Sequence, residues 1–242
     1  MTTNRVRLAL AVLSLSIFAG CASHTAPHAA RASDEGQKVG YYIAPSAVDL
    51  DKLLPSPSPD QSPISRGEGD LMLAIGAGAT DADRARMKSE ETLTPWAFAD
   101  VIGPGFSKDK MPLTAAMLDK VEKDTNAATA KAKQFWNRTR PPRQDARITP
   151  LVHLPSSASY PSGHSTRAIV WERVLAELDP KDKDALRQRA RLVALDRVIA
   201  GVHYPTDVAA GMALGDAIAD RFLASPAFKA DLDKARAEWP PR

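Results

Sequence analysis

Four stretches from residue 113 onward repeat apolar residues every three or four positions, which is the spacing of one face of an α-helix. The repeat is clearest over residues 113–136. One face of that segment carries Met117, Val121, Ala128, Ala132 and Phe135. No segment alternates apolar and polar residues as a half-buried strand does, so the pattern predicts an all-α fold, a single-domain helical bundle.

The other three predicted helices cover residues 165–178, 183–201 and 205–223. Pro180 is typical of a helix stop, and Pro205 suits the first turn of the last helix. The expected buried faces hold Val170, Val174 and Leu178 in one helix and Leu192, Leu195 and Ile199 in the next. The last helix is expected to approach a neighbour closely at its small residues Ala209, Ala210, Gly211, Ala213 and Gly215.

The region before these helices is rich in proline. Its prolines are Pro45, Pro55, Pro57, Pro59 and Pro63. This spacing disfavours helix and predicts an extended, polyproline-like segment, with helix from Gly67 onward.

The N-terminus is typical of an export signal. Arg5 and Arg7 precede an apolar run over residues 8–19, which is shorter than the roughly 20 residues that span a bilayer. The run ends in Phe18-Ala19-Gly20-Cys21, which resembles the lipobox of bacterial lipoproteins except that Phe18 replaces the usual Leu. Lipidation of Cys21 and ordinary cleavage within residues 21–30 both stay open. We expect a periplasmic protein, either free or held by this lipid anchor.

The domain organisation follows: residues 1–20 are the export signal, residues 21–40 a flexible tether and residues 41–242 the folded domain. Composition favours one core, since 44% of the 242 residues are hydrophobic and 25% are charged. Cys21 is the only cysteine, which excludes an intramolecular disulfide. The net charge of +3 falls to about +1 without Arg5 and Arg7, which argues against a nucleic-acid partner. No later apolar run is long enough to span a membrane.

Three clusters between positions 133 and 207 carry candidate chemistry. They are Lys133 with Arg140-Pro141, then Pro161-Ser162-Gly163-His164, then Arg197 with His203 and Asp207. Taken singly, each has an ordinary explanation. Cations complement a helix dipole, Pro-Ser-Gly forms a turn, and a His four residues before an Asp makes a surface contact. Together they supply the parts of phosphoryl transfer.

A phosphate ester brings up to two negative charges, and its transition state spreads charge over three oxygens. We expect Lys133, Arg140 and Arg197 to bind those oxygens, the arginines through bidentate forks. Gly163 would let backbone N–H groups at a helix N-terminus approach the anion, and Ser162 would add a hydroxyl donor.

Two histidines complete the set. Neutral His203 is predicted to attack phosphorus, with Asp207 fixing its tautomer from behind. His164 is predicted to protonate the leaving oxygen. The remaining histidines lie outside the clusters, and we expect them to be exposed or structural. They are His24, His28 and His153.

The order K-x6-R-P, P-S-G-H and R-x5-H-x3-D resembles the signature of the type 2 phosphatidic acid phosphatase and vanadium haloperoxidase superfamily. Residues 96–101, 159–164, 197–201 and 226–228 are similar to the bacterial class A non-specific acid phosphatases within it, so the resemblance covers roughly residues 40–238. It implies an all-helical fold and hydrolysis of small phosphate monoesters of broad specificity at acidic pH. It also implies a phosphohistidine intermediate, with no metal and no cofactor.

One position departs from that family, because Asp196 stands where Ser is usual. A carboxylate there either holds Arg197 or repels the substrate. Three rival functions stay open: a vanadium-dependent haloperoxidase, a lipid-phosphate phosphatase, and a lipoprotein that binds phosphate without turning it over. The short chain argues against the first, and the lack of a membrane helix against the second. The physiological substrate and the oligomeric state, a homo-oligomer included, are also open.

Overall fold

Ten α-helices and two 3-10 turns make up residues 40–239, the part of the chain that the computed structural model describes, and that part holds no β-strand. The helices are α1 (Leu50–Leu53), α2 (Pro63–Ala77), α3 (Asp81–Ser89), α4 (Ala99–Ile102), α5 (Pro112–Trp136), α6 (Pro141–Gln144), α7 (Gly163–Leu178), α8 (Lys183–Ile199), α9 (Pro205–Ala224) and α10 (Pro226–Glu238). The 3-10 turns are Pro95–Phe98 and Pro180–Asp182. The predicted export signal, the tether before residue 40, Cys21, His24 and His28 lie outside the described residues.

All four helices predicted from apolar spacing are present as α5, α7, α8 and α9. The predicted faces of α5 and α7 are correct. Their buried members are Met117, Val121, Ala128, Ala132, Val170, Val174 and Leu178, while Phe135 is half-buried. α7 lies at the centre of the bundle, where it packs against α5, α8, α9 and α10 and buries Trp171 completely.

The close helix contact predicted for α9 is made with α7. A Cβ atom at Gly211 would lie 2.5 Å from the carbonyl oxygen of Ser162, and one at Gly215 would lie 2.7 Å from that of Thr166. Distances this short are not tolerated, so the two helices approach to a separation that only glycine allows. This crossing carries the start of α7, and with it the Pro-Ser-Gly-His turn.

Two sequence predictions about the elements are wrong. The buried face of α8 holds Leu186, Ala190, Val193, Ala194 and Val198, together with Asp196 and Arg197, whereas Leu195 is exposed. The other two residues predicted for this face, Leu192 and Ile199, are half-buried. Apolar spacing alone placed the face off its true centre because it gave no weight to charged residues that become buried. The proline-rich segment is also less extended than predicted. It contains the single turn α1, and α2 begins at Pro63, which occupies the first turn where proline is tolerated.

Candidate active site

The ends of α5, α7 and α8 and the loop before α9 line one cavity of about 410 Å³. Six of the predicted site residues line it, namely Lys133, Arg140, Gly163, His164, Arg197 and His203. The remaining two, Ser162 and Asp207, are fully buried and lie behind this wall. Three sequence clusters that are up to 74 positions apart thus meet in one place, at helix ends.

His203 is held between a carboxylate and a guanidinium. Its Nδ1 lies 3.5 Å from Oδ2 of Asp207, and its Nε2 lies 3.2 Å from Nη1 of Arg140. Because guanidinium only donates, Nε2 is the acceptor and the ring proton belongs on Nδ1, toward Asp207. Burial lowers the pKa of His203 to about 3, and the charges of Arg140 and Lys133 add to that effect. The imidazole is therefore neutral, with its lone pair on the cavity side.

The loop that carries His203 depends on a left-handed backbone two residues earlier. Gly201 has φ of +74°, and it follows directly on the last turn of α8. Residues with a side chain rarely adopt that conformation. The reversal at Gly201 turns the chain back, so that His203 and Arg197 both reach the cavity.

Asp207 is fixed from several directions. Its Oδ2 accepts hydrogen bonds from the Ser159 hydroxyl at 2.5 Å and from the backbone N–H of Tyr204 at 2.9 Å, the latter as part of the cap of α9. Its Oδ1 accepts from Nη1 of Arg138 at 2.8 Å. Burial raises the pKa of Asp207, but the contact with His203 and the charge of Arg138 outweigh it and keep the pKa below its usual value. The group behind His203 is therefore a carboxylate.

Two cations from one stretch of chain face the cavity. Lys133, in the last turn of α5, donates from Nζ to the carbonyl oxygen of Ala158 at 2.5 Å. Burial and the charge of Arg140 lower the pKa of Lys133 to about 7. Arg140 donates to the carbonyl oxygens of Ser157 and Val202, both at 2.8 Å. Both side chains are thus held by backbone carbonyls, which fix a cation without neutralising it.

Arg197 is the least satisfied cation of the site. The residue is 2% exposed, and its Nε and Nη2 atoms are buried without a hydrogen-bond partner. A buried N–H group without a partner costs roughly 1–3 kcal/mol, and more when it is charged. An unpaired guanidinium facing a cavity is the feature that an oxyanion would complete.

His164 also lines the cavity, from the first turn of α7. Its Nε2 is 3.1 Å from the carbonyl oxygen of Glu90, and its Nδ1 is 3.4 Å from Nη2 of Arg167. Because a carbonyl only accepts, Nε2 carries the proton and Nδ1 is the acceptor in this state. Loss of hydration and the charges of Arg197 and Arg167 hold the pKa of His164 well below its usual value.

The Pro-Ser-Gly-His turn opens directly into α7. Ser162 is the N-cap: its hydroxyl oxygen accepts from the Ser165 hydroxyl at 2.9 Å and from the Ser165 backbone at 3.4 Å. Its side chain is 0% exposed and does not line the cavity. Gly163 does line it, and a Cβ there would lie 3.8 Å from Cε of Lys133. The structure thus gives Ser162 a capping contact, while Gly163 leaves the space beside Lys133 free.

The family comparison agrees with this geometry. A model described as the PAP2 superfamily matches residues 121–228, a range that contains every predicted catalytic and phosphate-binding residue. Residues 121–228 are a PAP2 superfamily domain.

Curated relatives of this chain include phosphatases. The chain is 33% identical to a non-specific acid phosphatase of Salmonella typhi over 146 residues, which are 58% of each chain. It is 27% identical to one of Providencia stuartii over 212 residues, which are 82% of this chain and 84% of that one. A lipid A 1-phosphatase of Rhizobium etli is 39% identical over 68 residues, 28% of this chain and 29% of that one. The match to the Salmonella protein thus spans little more than half of its length.

The fold is also similar to that of a solved structure. A bacterial vanadium-dependent iodoperoxidase superposes with a TM-score of 0.52 at 18% identity, covering 74% of this chain and 55% of that one. At this identity the likeness concerns the fold alone, and it confirms the predicted all-α fold. Within residues 40–239, no helix has the length and apolar character that a membrane crossing needs.

Asp196, the position that departs from the acid phosphatase pattern, makes a contact that neither sequence alternative anticipated. Both of its carboxylate oxygens accept from Arg86 of α3, each at 2.8 Å. Asp196 is completely buried and does not line the cavity. The carboxylate thus joins α3 to α8.

Sequence reasoning missed several residues of the site. Arg138 binds Asp207 and also donates to Glu68 at 2.8 Å, and Arg167 lines the cavity beside His164. His153, expected to be exposed or structural, is exposed but lies in the cavity wall. Arg138 precedes Arg140 by two residues and Arg167 follows His164 by three, so proximity to the motifs was the one available signal.

Proposed function

We propose that this protein is an acid phosphatase that hydrolyses phosphate monoesters through a phosphohistidine on His203, without a metal ion. The single observation that supports this most directly is the surroundings of Nε2 of His203. That lone pair lies in a cavity with Lys133, Arg140 and Arg197, and a carboxylate holds the opposite ring nitrogen. The names of the curated relatives support the same activity.

In the proposed complex, the phosphoryl oxygens accept hydrogen bonds from the N–H groups of Arg197 that lack partners, and from Lys133 and Arg140. Arg140 now donates toward Nε2 of His203. A phosphoryl oxygen competes for that N–H group and frees the lone pair. The substrate thus releases the nucleophile as it binds.

The first step forms the bond from Nε2 of His203 to phosphorus and breaks the bond from phosphorus to the ester oxygen. His164 transfers a proton to that leaving oxygen. Asp207 stabilises the positive charge that develops on the ring of His203. The products of this step are an alcohol and a phosphohistidine.

In the second step, water attacks the phosphohistidine and neutral His164 accepts the proton of that water. The bond from phosphorus to Nε2 breaks, and inorganic phosphate leaves. The protonated His164 is then ready for the next substrate, so protons balance over the cycle.

Charge favours this chemistry at acidic pH. With a pKa of about 3, His203 stays neutral and nucleophilic in acid. Lys133, with a pKa of about 7 in the unliganded site, gains its full charge below neutrality. A bound dianion offsets the charge of Arg197, which raises the pKa of His164 and lets it carry the proton that it must donate.

We also propose that the protein works outside the cytoplasm, in the periplasm, as the N-terminal sequence indicates. Within residues 40–239, no group of three or more His, Cys, Asp or Glu side chains is placed to hold a metal ion. The proposed route through protein side chains needs no metal ion, and chelation tests it.

The test is hydrolysis of p-nitrophenyl phosphate by the purified protein with and without EDTA. We expect activity that EDTA leaves intact and that His203→Ala abolishes, with an acid-labile phosphoprotein trapped from wild type and absent from His203→Ala. Activity that requires added divalent metal would refute the mechanism. Halide oxidation with added vanadate, in the absence of phosphatase activity, would instead establish the haloperoxidase. Phosphate binding without turnover would establish a binding protein.

A further inference from the structure

Arg167 gives the cavity a fourth positive charge. The cavity is lined by Lys133, Arg140, Arg167 and Arg197, and no carboxylate within residues 40–239 pairs with any of the four within 4 Å. The one acidic side chain in the wall is Glu91, which already accepts from Lys88 and from the backbone of His153. The four cations are thus available to a ligand.

A phosphate monoester carries at most two negative charges, and three cations suffice for the proposed phosphoryl site. Carboxylates such as Asp207 and Glu122 act on these cations only from beyond 4 Å, so the cost of burying them is partly compensated. The surplus of positive charge that is left indicates an occupant with more negative charge than one phosphate. Arg167 is the cation left over, because the three others surround His203 or have N–H groups that the phosphoryl oxygens complete.

The position of Arg167 places the additional positive charge on the leaving-group side of the cavity. Its Nη2 lies 3.4 Å from Nδ1 of His164, and Nη1 is 3.2 Å from the side-chain oxygen of Asn126. Its Nε is buried and has no partner. When His164 is charged, Nδ1 becomes a donor facing another donor. Acceptor oxygens between the two remove this conflict: the leaving oxygen for Nδ1 and a further oxygen for Arg167.

We propose that Arg167 selects phosphate monoesters whose leaving group carries a second anionic group, either a carboxylate or another phosphate. The proposal rests on the proposed function, since it places this group beside the acid His164. Arg167 is thereby a specificity-determining residue, and a charge-assisted hydrogen bond from it is expected to favour such substrates by about 10- to 100-fold.

The kinetic test compares two matched substrates, glycerol 3-phosphate and 3-phosphoglycerate, which differ by a carboxylate on the leaving group. We expect wild type to have a higher kcat/KM for 3-phosphoglycerate, and Arg167→Met to lower the ratio of the two values at least tenfold. Using the ratio cancels any effect of Arg167 on His164, because both leaving groups are alkoxides. Arg191→Met, at an exposed position of α8 outside the cavity, should leave the ratio unchanged.

A binding test is independent of turnover. In the His203→Ala variant, methylenediphosphonate should bind more tightly than methylphosphonate, and adding Arg167→Met should remove most of that difference. The carboxylate and phosphate arms show which second anion is favoured. The proposal is overturned if wild type has equal kcat/KM values for the two substrates and binds the two phosphonates equally tightly. It is also overturned if Arg167→Met lowers the values for both members of each pair by the same factor. If p-nitrophenyl phosphate is also not hydrolysed, the proposed function itself fails.

Discussion

Arg138 lies behind the cavity and acts on the site through Asp207. It bridges Asp207 and Glu68, its guanidinium carbon lies 3.9 Å from the ring centre of Tyr204, and it is 4% exposed. A guanidinium in this position holds the Asp207 carboxylate at one oxygen and leaves the other to face His203. It is therefore a positioning residue, since it does not line the cavity.

Replacing Arg138 should affect turnover more than substrate binding. We expect Arg138→Met to lower kcat by about 10- to 100-fold, because Asp207 loses the partner that positions it, with a much smaller change in KM. Steady-state kinetics at several pH values would measure this split. Arg138→Lys should recover part of kcat because it restores the charge.

The matched variant for this prediction is Glu68→Gln. It alters the same buried cluster but leaves the contact from Arg138 to Asp207 in place, so it should lower stability with less effect on kcat. If Arg138→Met and Glu68→Gln reduce kcat to the same extent, Arg138 contributes only to folding.

The candidate site could be predicted from the sequence only where residue spacing carries chemical meaning. His203 and Asp207 were paired by a four-residue step, and the structure places them 3.5 Å apart. Arg138 has no such mark, because its partner Glu68 is 70 positions away and the two meet only in the fold. Contacts between distant segments require the packing of the helices, and periodicity does not specify that packing.

At the scale of elements, Asp196 links α8 to α3. The position of α3 bears on the proposed mechanism, because Glu90 directly follows this helix and its carbonyl oxygen accepts a hydrogen bond from His164. Replacing Asp196 with the Ser usual in acid phosphatases leaves Arg86 with only Asp83 as a partner. The family residue is thus unsuited to this chain unless Arg86 also changes.

We expect Asp196→Ser to lower the free energy of unfolding by about 2–4 kcal/mol, less than for a fully enclosed pair because Arg86 keeps contact with water. Urea denaturation would measure it. The double variant Arg86→Met, Asp196→Ser should lose less than the two single losses added together. Additive losses would show that the pair contributes no coupling.

The crossing of α7 and α9 gives a second prediction at this scale. A Cβ at Gly215 would overlap the carbonyl of Thr166, so Gly215→Ala should push the helices apart and cost about 1–3 kcal/mol of stability. Gly67→Ala in α2 is the matched control, since a Cβ there meets nothing within 4 Å. That substitution should stabilise slightly, because alanine favours helix. A neutral Gly215→Ala would show that the contact is not tight.

Apolar spacing predicted the four long helices, since each buries a continuous stripe. It failed for the face of α8, where Asp196 is buried against a partner in α3 and Arg197 is buried at the cavity. It also did not single out α10, where only three buried residues, Phe228, Leu232 and Ala235, follow the helical spacing. Burial of charge and short apolar stripes depend on neighbours, which no single segment reveals.

For the whole molecule, the buried site makes stability depend on pH. Folding lowers the pKa of His203 from an ordinary 6.5 to about 3, so between these values the unfolded chain binds a proton that the folded chain does not. Stability is therefore lost as pH falls below 6.5. His164 acts in the same direction. The lowered pKa of Lys133, about 7, likewise gives stability above pH 7 that is lost as pH falls toward that value.

His203, His164 and Lys133 all line one cavity, so an anion bound in that cavity should change how stability depends on pH. We expect the free energy of unfolding of the unliganded protein to fall between pH 6.5 and 4.5, by at most about 1.4 kcal/mol per pH unit for each of the two histidines. Inorganic phosphate should reduce this slope, because it compensates the charge of Arg197 and lets folded His164 keep its proton. Denaturation at a series of pH values, with and without phosphate, measures both slopes. His164→Asn should reduce the pH slope of the unliganded protein and also the change in slope that phosphate causes. The reason is that a side chain that does not titrate contributes to neither. An unchanged slope in phosphate would mean that the anion binds away from these histidines, and the proton balance of the proposed mechanism would then have to involve other groups.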